Sequence, residues 1–341
     1  MMRAARLHGP ADIRIDEVSV PVPGPGEVLV RVLAYSPYGT CLGVYLNRGG
    51  RYVSQYPIGI GADFSAEIAA LGPDVTGFSV GQRVTAQSLD NCGTCPNCSA
   101  GRTNLCLSPD LGRYVRQVCA QDYALVSVRK LCAMPDSVSD EAGAMLTGVV
   151  DALNALDKLA LPEGSPVAIV GVGAMGQGAI ATARAIGLEP IAIGGRGAKT
   201  AMVTAVGAAQ VFGITAHGED ISAAVLDAFP GGFAGVVETS ASDWGMAQAF
   251  ALAAPGGTVA LTGGGALPVS NWDIVNRELH VVGVRGGPDQ ARALRLIAEG
   301  KIDLSPTISA RFPLERIGDA FALLTGEQAK DVGRVIIRIA D

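Results

Sequence analysis

Residues 166–176, PVAIVGVGAMG, constrain the fold of this chain more than any other stretch. A short apolar run gives way to Gly171, Gly173 and Gly176 and then to the helical pattern of residues 176–187. The first glycine permits a tight turn, the second lets a pyrophosphate reach the backbone, and the third lets the helix pack closely on the strand. Phosphates then rest on the helix N-terminus, with Ala174 and Met175 completing the turn. Three glycines alone would also suit an ordinary strand-to-helix turn, so the surrounding pattern carries the weight.

That pattern is regular. Strand-like runs at 167–170, 190–193, 235–238, 258–262 and 280–284 alternate with helix-like segments near 176–187, 199–207, 219–229 and 243–253. Such a series implies βαβ units and a parallel sheet. The composition agrees: 49% hydrophobic but only 5% aromatic, with 45 glycines, as suits strands buried on both faces among tight turns. A chain of 341 residues exceeds one ordinary core, since single cores stop growing near roughly 250–300 residues. The first 150 or so residues are rich in Pro and Gly with short β-type runs, such as 27–33 and 122–128, and predict a mostly β domain. A helix is expected to cross the boundary from residue 139 onward. After Gly287 come a helix (289–299), a second helix (314–324) and a last strand (334–339). The expected division is therefore 1–150 with 286–341, and 151–285 as a doubly wound Rossmann domain.

Cofactor choice is readable at the end of the second strand. An NAD-binding chain usually places an Asp or Glu there for the ribose hydroxyls. Here the strand ends in Gly194-Gly195-Arg196, which leaves room for a 2′-phosphate and offers it a guanidinium. NADPH is favoured, although an Arg196 that is only a solvated loop residue would leave the choice open. Gly263, Gly283 and Arg285 lie on turns expected near the nicotinamide end, and each also suits an ordinary turn or surface position.

Four of the seven cysteines fall in NCGTCPNCSAGRTNLC, within a loop spanning 90–107, as Cys92, Cys95, Cys98 and Cys106. Four thiolates on a short loop suit tetrahedral Zn2+ and leave no open position for substrate. Disulfides fit less well in a chain without an export signal, and an iron–sulfur cluster fits on ligand count alone. Cys41, Cys119 and Cys132 read as ordinary thiols. A net charge of −6 gives no basic stripe for nucleic acid, and no stretch offers the ~20 apolar residues of a membrane span. With no signal-peptide pattern at the N-terminus, the expected location is the cytoplasm.

Taken together, PVPGPGEVLVRVLA, LGPDVTGFSVGQRV, the four-cysteine loop, GVGAMG, PGGTVALTGG and GRVIIRI resemble the zinc-type medium-chain dehydrogenase/reductase family from end to end. The resemblance implies a GroES-like, partly open β-barrel catalytic domain beside the nucleotide domain. It also implies a catalytic zinc held by a Cys, by the His of a Gly-His-Glu run, and by a second Cys or an acid. The matching positions here are Tyr38, Ala62 in Gly61-Ala62-Asp63, and Thr147. A phenol, a methyl and a hydroxyl do not replace two thiolates and an imidazole, and His8, His217 and His280 lie elsewhere. The catalytic zinc is therefore expected to be absent and the structural one kept. By the same resemblance, Thr40 matches the hydroxyl that relays protons, and Arg334 matches a position that reaches the pyrophosphate. Family members commonly pair through an edge strand, for which 280–284 is the candidate, so a homodimer or homotetramer is expected.

Zinc polarises an alcohol or carbonyl oxygen. Without it, substrates that are already electrophilic, enones, enals or iminium ions, are the natural hydride acceptors from NADPH. Tyr38 would donate a hydrogen bond or proton, unless it only lines the pocket and Tyr45 or Tyr52 is the donor. A zinc-free alcohol or quinone oxidoreductase, coupled cyclisation or elimination, and a catalytically silent NADPH-binding sensor or scaffold remain alternatives.

Overall fold

Val167 to Val170 are fully buried and carry no polar side chain, which places their strand at the centre of a sheet covered on both faces. In this computed structural model, which describes residues 1–48, 53, 55–87, 89–108 and 118–340, that strand (Pro166–Val170) is flanked by Glu189–Ile193 on one side and Phe233–Glu238 on the other. Gln210–Phe212 extends the sheet outward from the first, and Ala253–Leu261 and His280–Gly283 extend it from the second. All six strands are parallel. Strand order reverses direction between Pro166–Val170 and Phe233–Glu238, the switch point where open α/β sheets bind ligands. Helices Ala174–Ala185, Ala198–Ala205, Ser222–Ala228 and Asp243–Leu252 connect the strands. The three-residue strand Gln210–Phe212 and the six-residue helix Asn271–Asn276 were not expected from the sequence, because neither is long enough to show a period.

The β-rich unit is organised on Glu27–Tyr35. One edge of this strand pairs with Phe64–Leu71. Its other edge is shared, Glu27 to Arg31 pairing with Tyr123–Ser127 and Ala34 and Tyr35 with Arg334–Arg338. Arg83–Ala86, Leu131–Ala133 and Ile308–Pro313 complete a seven-stranded sheet, and Met2–Gly9, Asp12–Val18 and Ile58–Gly59 form a smaller one. Alternate residues Val28, Val30 and Val32 face the core with Phe64, Ile68, Val335 and Phe321. Each such side chain contributes about 1.5–3 kcal/mol by leaving water.

The chain divides into Met1–Thr147 with Gln290–Ala298 and Ile308–Asp341, and Gly148–Asp289 with Glu299–Thr307. Two expectations are corrected. The boundary helix is two helices, Asp140–Ala144 and Thr147–Leu159. The segment 286–341 does not belong wholly to the first unit. Asn154 Nδ2 donates to the Gly286 carbonyl at 2.5 Å, and a Cβ on Gly287 would lie 2.3 Å from the Val150 carbonyl oxygen, so 286 and 287 pack on helix Thr147–Leu159. The turn Ser305–Thr307 packs on helix Ala198–Ala205.

Candidate active site

Close approach explains the glycine turn after Pro166–Val170. Gly171 has φ +95, and a Cβ there would lie 2.9 Å from both the Ser240 nitrogen and the Thr239 hydroxyl. A Cβ on Gly176 would lie 1.9 Å from the Gly171 carbonyl oxygen, inside any permitted contact. Gly173, exposed and with open space around its Cβ position, caps the twelve-residue helix Ala174–Ala185 without a side chain. A cradle of this kind, open at the helix N-terminus, fits a pyrophosphate. Ala174 and Met175 are half-buried in its first turn.

The opposite wall is residues 238–241. Glu238 is fully buried at the end of its strand and accepts from Ser240 N (2.7 Å), Ser240 Oγ (2.5 Å) and Ala241 N (3.1 Å). Burial raises its carboxyl above the usual range, and these donors oppose the rise. Thr239 Oγ1 donates to the Val170 carbonyl at 2.8 Å, tying this wall to the glycine turn. A Cβ on Gly263 would lie 2.3 Å from Ala241 Cβ, so the turn after Ala253–Leu261 closes on the same wall. Gly283 pairs with Leu261, which places its turn next along the sheet edge, with Arg285 exposed beyond it. Gly194 and Gly195, with φ +98 and +88, end strand Glu189–Ile193, and Arg196 follows half-buried. A Cβ on Gly195 would strike Val172 Cγ2 at 2.3 Å. Of the expected cofactor residues, the structure therefore gathers all but one along the C-terminal edge of the parallel sheet. Arg334 lies in the other unit, buried on strand Arg334–Arg338.

In the first unit, Cys92, Cys95, Cys98 and Cys106 have sulfurs within 4.8 Å of one another. Among the described residues, they form the one group of three or more such side chains able to hold a metal ion. Helix Pro96–Ser99 and the turn Thr103–Leu105 bring them together, with Asn97 Nδ2 donating to the Leu105 carbonyl at 2.7 Å. Backbone N–H groups point at the sulfurs, from Cys95 to Cys92 and from Cys92 to Cys106, each at 3.3 Å. Hydrogen bonds from Thr94 and Cys95 pull the Cys92 thiol down to about 6, and burial beside the other thiols pushes Cys98 up to about 12. Four sulfurs converging on one point, with backbone N–H groups aimed at them, form a donor set that fits tetrahedral zinc.

The three positions of the expected catalytic metal are filled differently. Thr147 Oγ1 donates to Asp63 Oδ1 at 2.5 Å, across 84 residues of sequence. Ala62 is a buried methyl. Gly61 has φ +110, and a Cβ there would meet Cys119 Sγ at 2.6 Å. Tyr38 precedes helix Gly39–Tyr45 as its N-cap, half-buried against the core, and its carbonyl accepts from Leu42 N at 3.1 Å. Thr40 is half-buried in the first turn of that helix. Around Asp63 the interior is thiol-rich and cationic. Burial pushes the Cys41 thiol up to about 11 and Cys119 well above its usual value. Burial also pulls the Arg334 guanidinium down to about 10, against the attraction of Asp63. Lys130, buried, falls to about 8, with Asp90 and Cys119 resisting the fall.

Tyr45 is not available as a donor. Its hydroxyl donates to the Ala11 carbonyl at 3.1 Å, and its ring lies 4.7 Å from that of Phe321. Tyr52 lies outside the described residues. Sequence reasoning missed the Thr147–Asp63 bond, the buried Lys130 and the Glu238 turn. Only Glu238, an acid ending an apolar strand, left any trace in the pattern.

A doubly wound sheet with a glycine cradle, in one chain with a β unit carrying a four-cysteine loop, defines a class of nicotinamide-dependent oxidoreductases. Residues 24–136 match the alcohol dehydrogenase GroES-like domain, and residues 174–299 match the zinc-binding dehydrogenase domain. The chain belongs to the medium-chain, alcohol dehydrogenase-like dehydrogenase/reductase family. It is 29% identical to sorbitol dehydrogenase of Bacillus subtilis over 94% of this chain and 92% of that protein. It is also 29% identical to L-threonine 3-dehydrogenase of Pyrococcus horikoshii, over 95% and 94%. A solved structure from Sinorhizobium meliloti 1021, assigned to the zinc-binding dehydrogenases and bound to NADP, superposes with TM-score 0.88 at 29% identity over 99% of each chain. The protein is an NAD(P)-dependent oxidoreductase. Among the described residues no helix is long and apolar enough to cross a membrane.

Proposed function

We propose that the protein is an NADPH-dependent reductase that transfers hydride to an activated C=C bond or an iminium carbon without a catalytic zinc. The observation that carries this reading is the 2.5 Å bond from Thr147 to Asp63. The hydroxyl at one expected ligand position is committed to a carboxylate, the second position offers a methyl, and the third a phenol. That donor set does not fit zinc. The family's relatives named above are dehydrogenases, and the proposal assigns this chain a different acceptor on the ground of its donors.

The Gly194-Gly195-Arg196 end of strand Glu189–Ile193, where no carboxylate stands to repel a 2′-phosphate, supports NADPH, as does the NADP bound to the Sinorhizobium relative. When bound, the cofactor supplies the hydride. The residues assigned to hold it are Gly171, Gly173, Ala174, Met175, Gly176, Gly195, Arg196, Gly263, Gly283 and Arg285; Arg334, buried in the other unit, is not brought to them. Cys92, Cys95, Cys98 and Cys106 hold one structural zinc, whose closed set of thiolates supplies folding energy and no open position.

Hydride addition to the β-carbon of an enone leaves negative charge on oxygen. Tyr38 is assigned to stabilise that oxygen by hydrogen bonding or to deliver the proton, and Thr40 to orient the substrate oxygen. A phenol O–H is a donor that can serve either role. Among the described residues, the strand His280–Gly283 pairs on one edge only, with Ala253–Leu261. Its other edge supports a homodimer or homotetramer.

Two substitutions test these roles. Tyr38→Phe is expected to lower kcat on an enone by roughly 10- to 100-fold with NADPH affinity and bound zinc unchanged; unchanged turnover removes Tyr38 from the chemistry. Arg196→Ala is expected to weaken NADPH by on the order of 10-fold and NADH hardly at all. Equal losses for both cofactors contradict the 2′-phosphate role.

A further inference from the structure

From its position at the sheet edge, we infer that Trp244 is an adenosine-contact residue, forming one wall of the subsite that receives the purine end of the cofactor. The inference rests on the dinucleotide reading of the glycine turn but not on the choice of NADP over NAD. Nothing in the glycine pattern points to this tryptophan, which stands 68 residues beyond Gly176.

The placement follows from the topology. In a doubly wound sheet the ligand crosses the C-terminal strand ends at the switch point. Its pyrophosphate lies on the first glycine turn, and its adenosine half lies over the end of the next strand, here Glu189–Ile193 with Gly194. Trp244 sits in the first turn of helix Asp243–Leu252, which follows the strand on the other side of the switch point. Its six-membered ring reaches back to the end of Glu189–Ile193. A Cβ on Gly194 would lie 2.8 Å from Trp244 Cη2 and 3.1 Å from Cζ3.

The ring is also fixed in orientation. Its Nε1–H donates to the Glu219 carbonyl at 2.6 Å. One turn along the same helix, Gln248 donates to Asp220 at 2.9 Å and accepts from Ile221 N at 3.3 Å, so helix and loop are held as one. With its only polar group committed to the backbone, the half-buried indole presents hydrocarbon and π surface, which suits a purine rather than a phosphate or sugar. Ser240 and Ser242 precede it in the chain, and their hydroxyls are bonded to each other at 2.8 Å.

The chain has two tryptophans, and Trp272 is 71% exposed. Trp272→Phe therefore leaves Trp244 as the sole indole reporter. In that variant, adenosine 2′,5′-bisphosphate and NADPH are expected to quench the emission, and nicotinamide mononucleotide to leave it unchanged. Trp244→Leu is expected to weaken the bisphosphate by roughly 10-fold in calorimetry, and Trp244→Phe to keep most of the affinity. Bound NADPH detected by calorimetry with no change in Trp244 emission overturns the inference. Adenosine 5′-monophosphate quenching as strongly and binding as tightly as the bisphosphate supports the Trp244 wall while overturning the preference for NADP. Absence of any nucleotide binding overturns both.

Discussion

At the scale of single residues, the account rests on where a side chain can and cannot go. Gly176 and Gly173 belong to the same motif but differ physically: a Cβ on the first would sit 1.9 Å from a backbone oxygen, and a Cβ on the second meets nothing within 4 Å. Gly176→Ala is accordingly expected to lower the melting temperature by several degrees, about 1–3 kcal/mol of overpacking, and to abolish NADPH binding in calorimetry. Gly173→Ala should leave melting unchanged and act on cofactor affinity alone. If the two variants melt alike, the packing explanation of the motif fails. The glycines were legible in the sequence because their spacing encodes a local turn. The Thr147–Asp63 bond was not, because it joins residues 84 apart and nothing in either neighbourhood announces the other. In the sequence Asp63 stands only as the last residue of the Gly61-Ala62-Asp63 run.

Elements add interactions that span the chain. Glu141, on helix Asp140–Ala144, is bonded by Arg311 at 2.7 and 2.8 Å and by Arg338 at 2.8 Å, so one carboxylate ties the helix to strands Ile308–Pro313 and Arg334–Arg338. Those bonds hold its carboxyl at about 2, against 4.5 ordinarily. A depressed carboxyl pKa stabilises the fold above the unfolded value, and the contribution disappears as pH falls from about 4.5 through about 2. With both arginines largely solvated, roughly 1–2 kcal/mol remains at neutral pH. Glu141→Gln should melt lower than wild type at pH 7, with the gap closing on acidification below about pH 4; a gap independent of pH contradicts the ion-pair origin. The cysteine loop is the second case. Its C-x2-C-x2-C-x7-C spacing announced a cluster, and the sulfurs lie within 4.8 Å of one another. Cys98→Ser is expected to abolish bound zinc and lower the melting temperature without altering NADPH affinity in the folded fraction. Zinc retained at full stoichiometry in that variant contradicts the assignment. Short elements were where periodicity failed, since Gln210–Phe212 and Asn271–Asn276 are shorter than the patterns that reveal strands and helices.

Over the whole molecule, the parallel sheet and the β-rich unit were legible because buried strands and Pro/Gly-rich turns write themselves into composition and spacing. The partition of the tail was not. Whether 286–287 and 299–307 pack with one unit or the other depends on contacts such as Asn154 to Gly286, which involve residues indistinguishable in sequence from those of any loop. The chemistry follows the same division. The cofactor cradle is a local motif on a shared scaffold, whereas the acceptor proposed above rests on Tyr38, Ala62 and Thr147, positions far apart in the sequence. The most direct measurement is NADPH and NADH oxidation against enones, cyclic iminium ions, quinones, simple ketones and aldehydes, with zinc counted on the same sample. The account predicts turnover of enones or iminium ions with NADPH at one zinc per chain. Ketone turnover with two zincs per chain would contradict it.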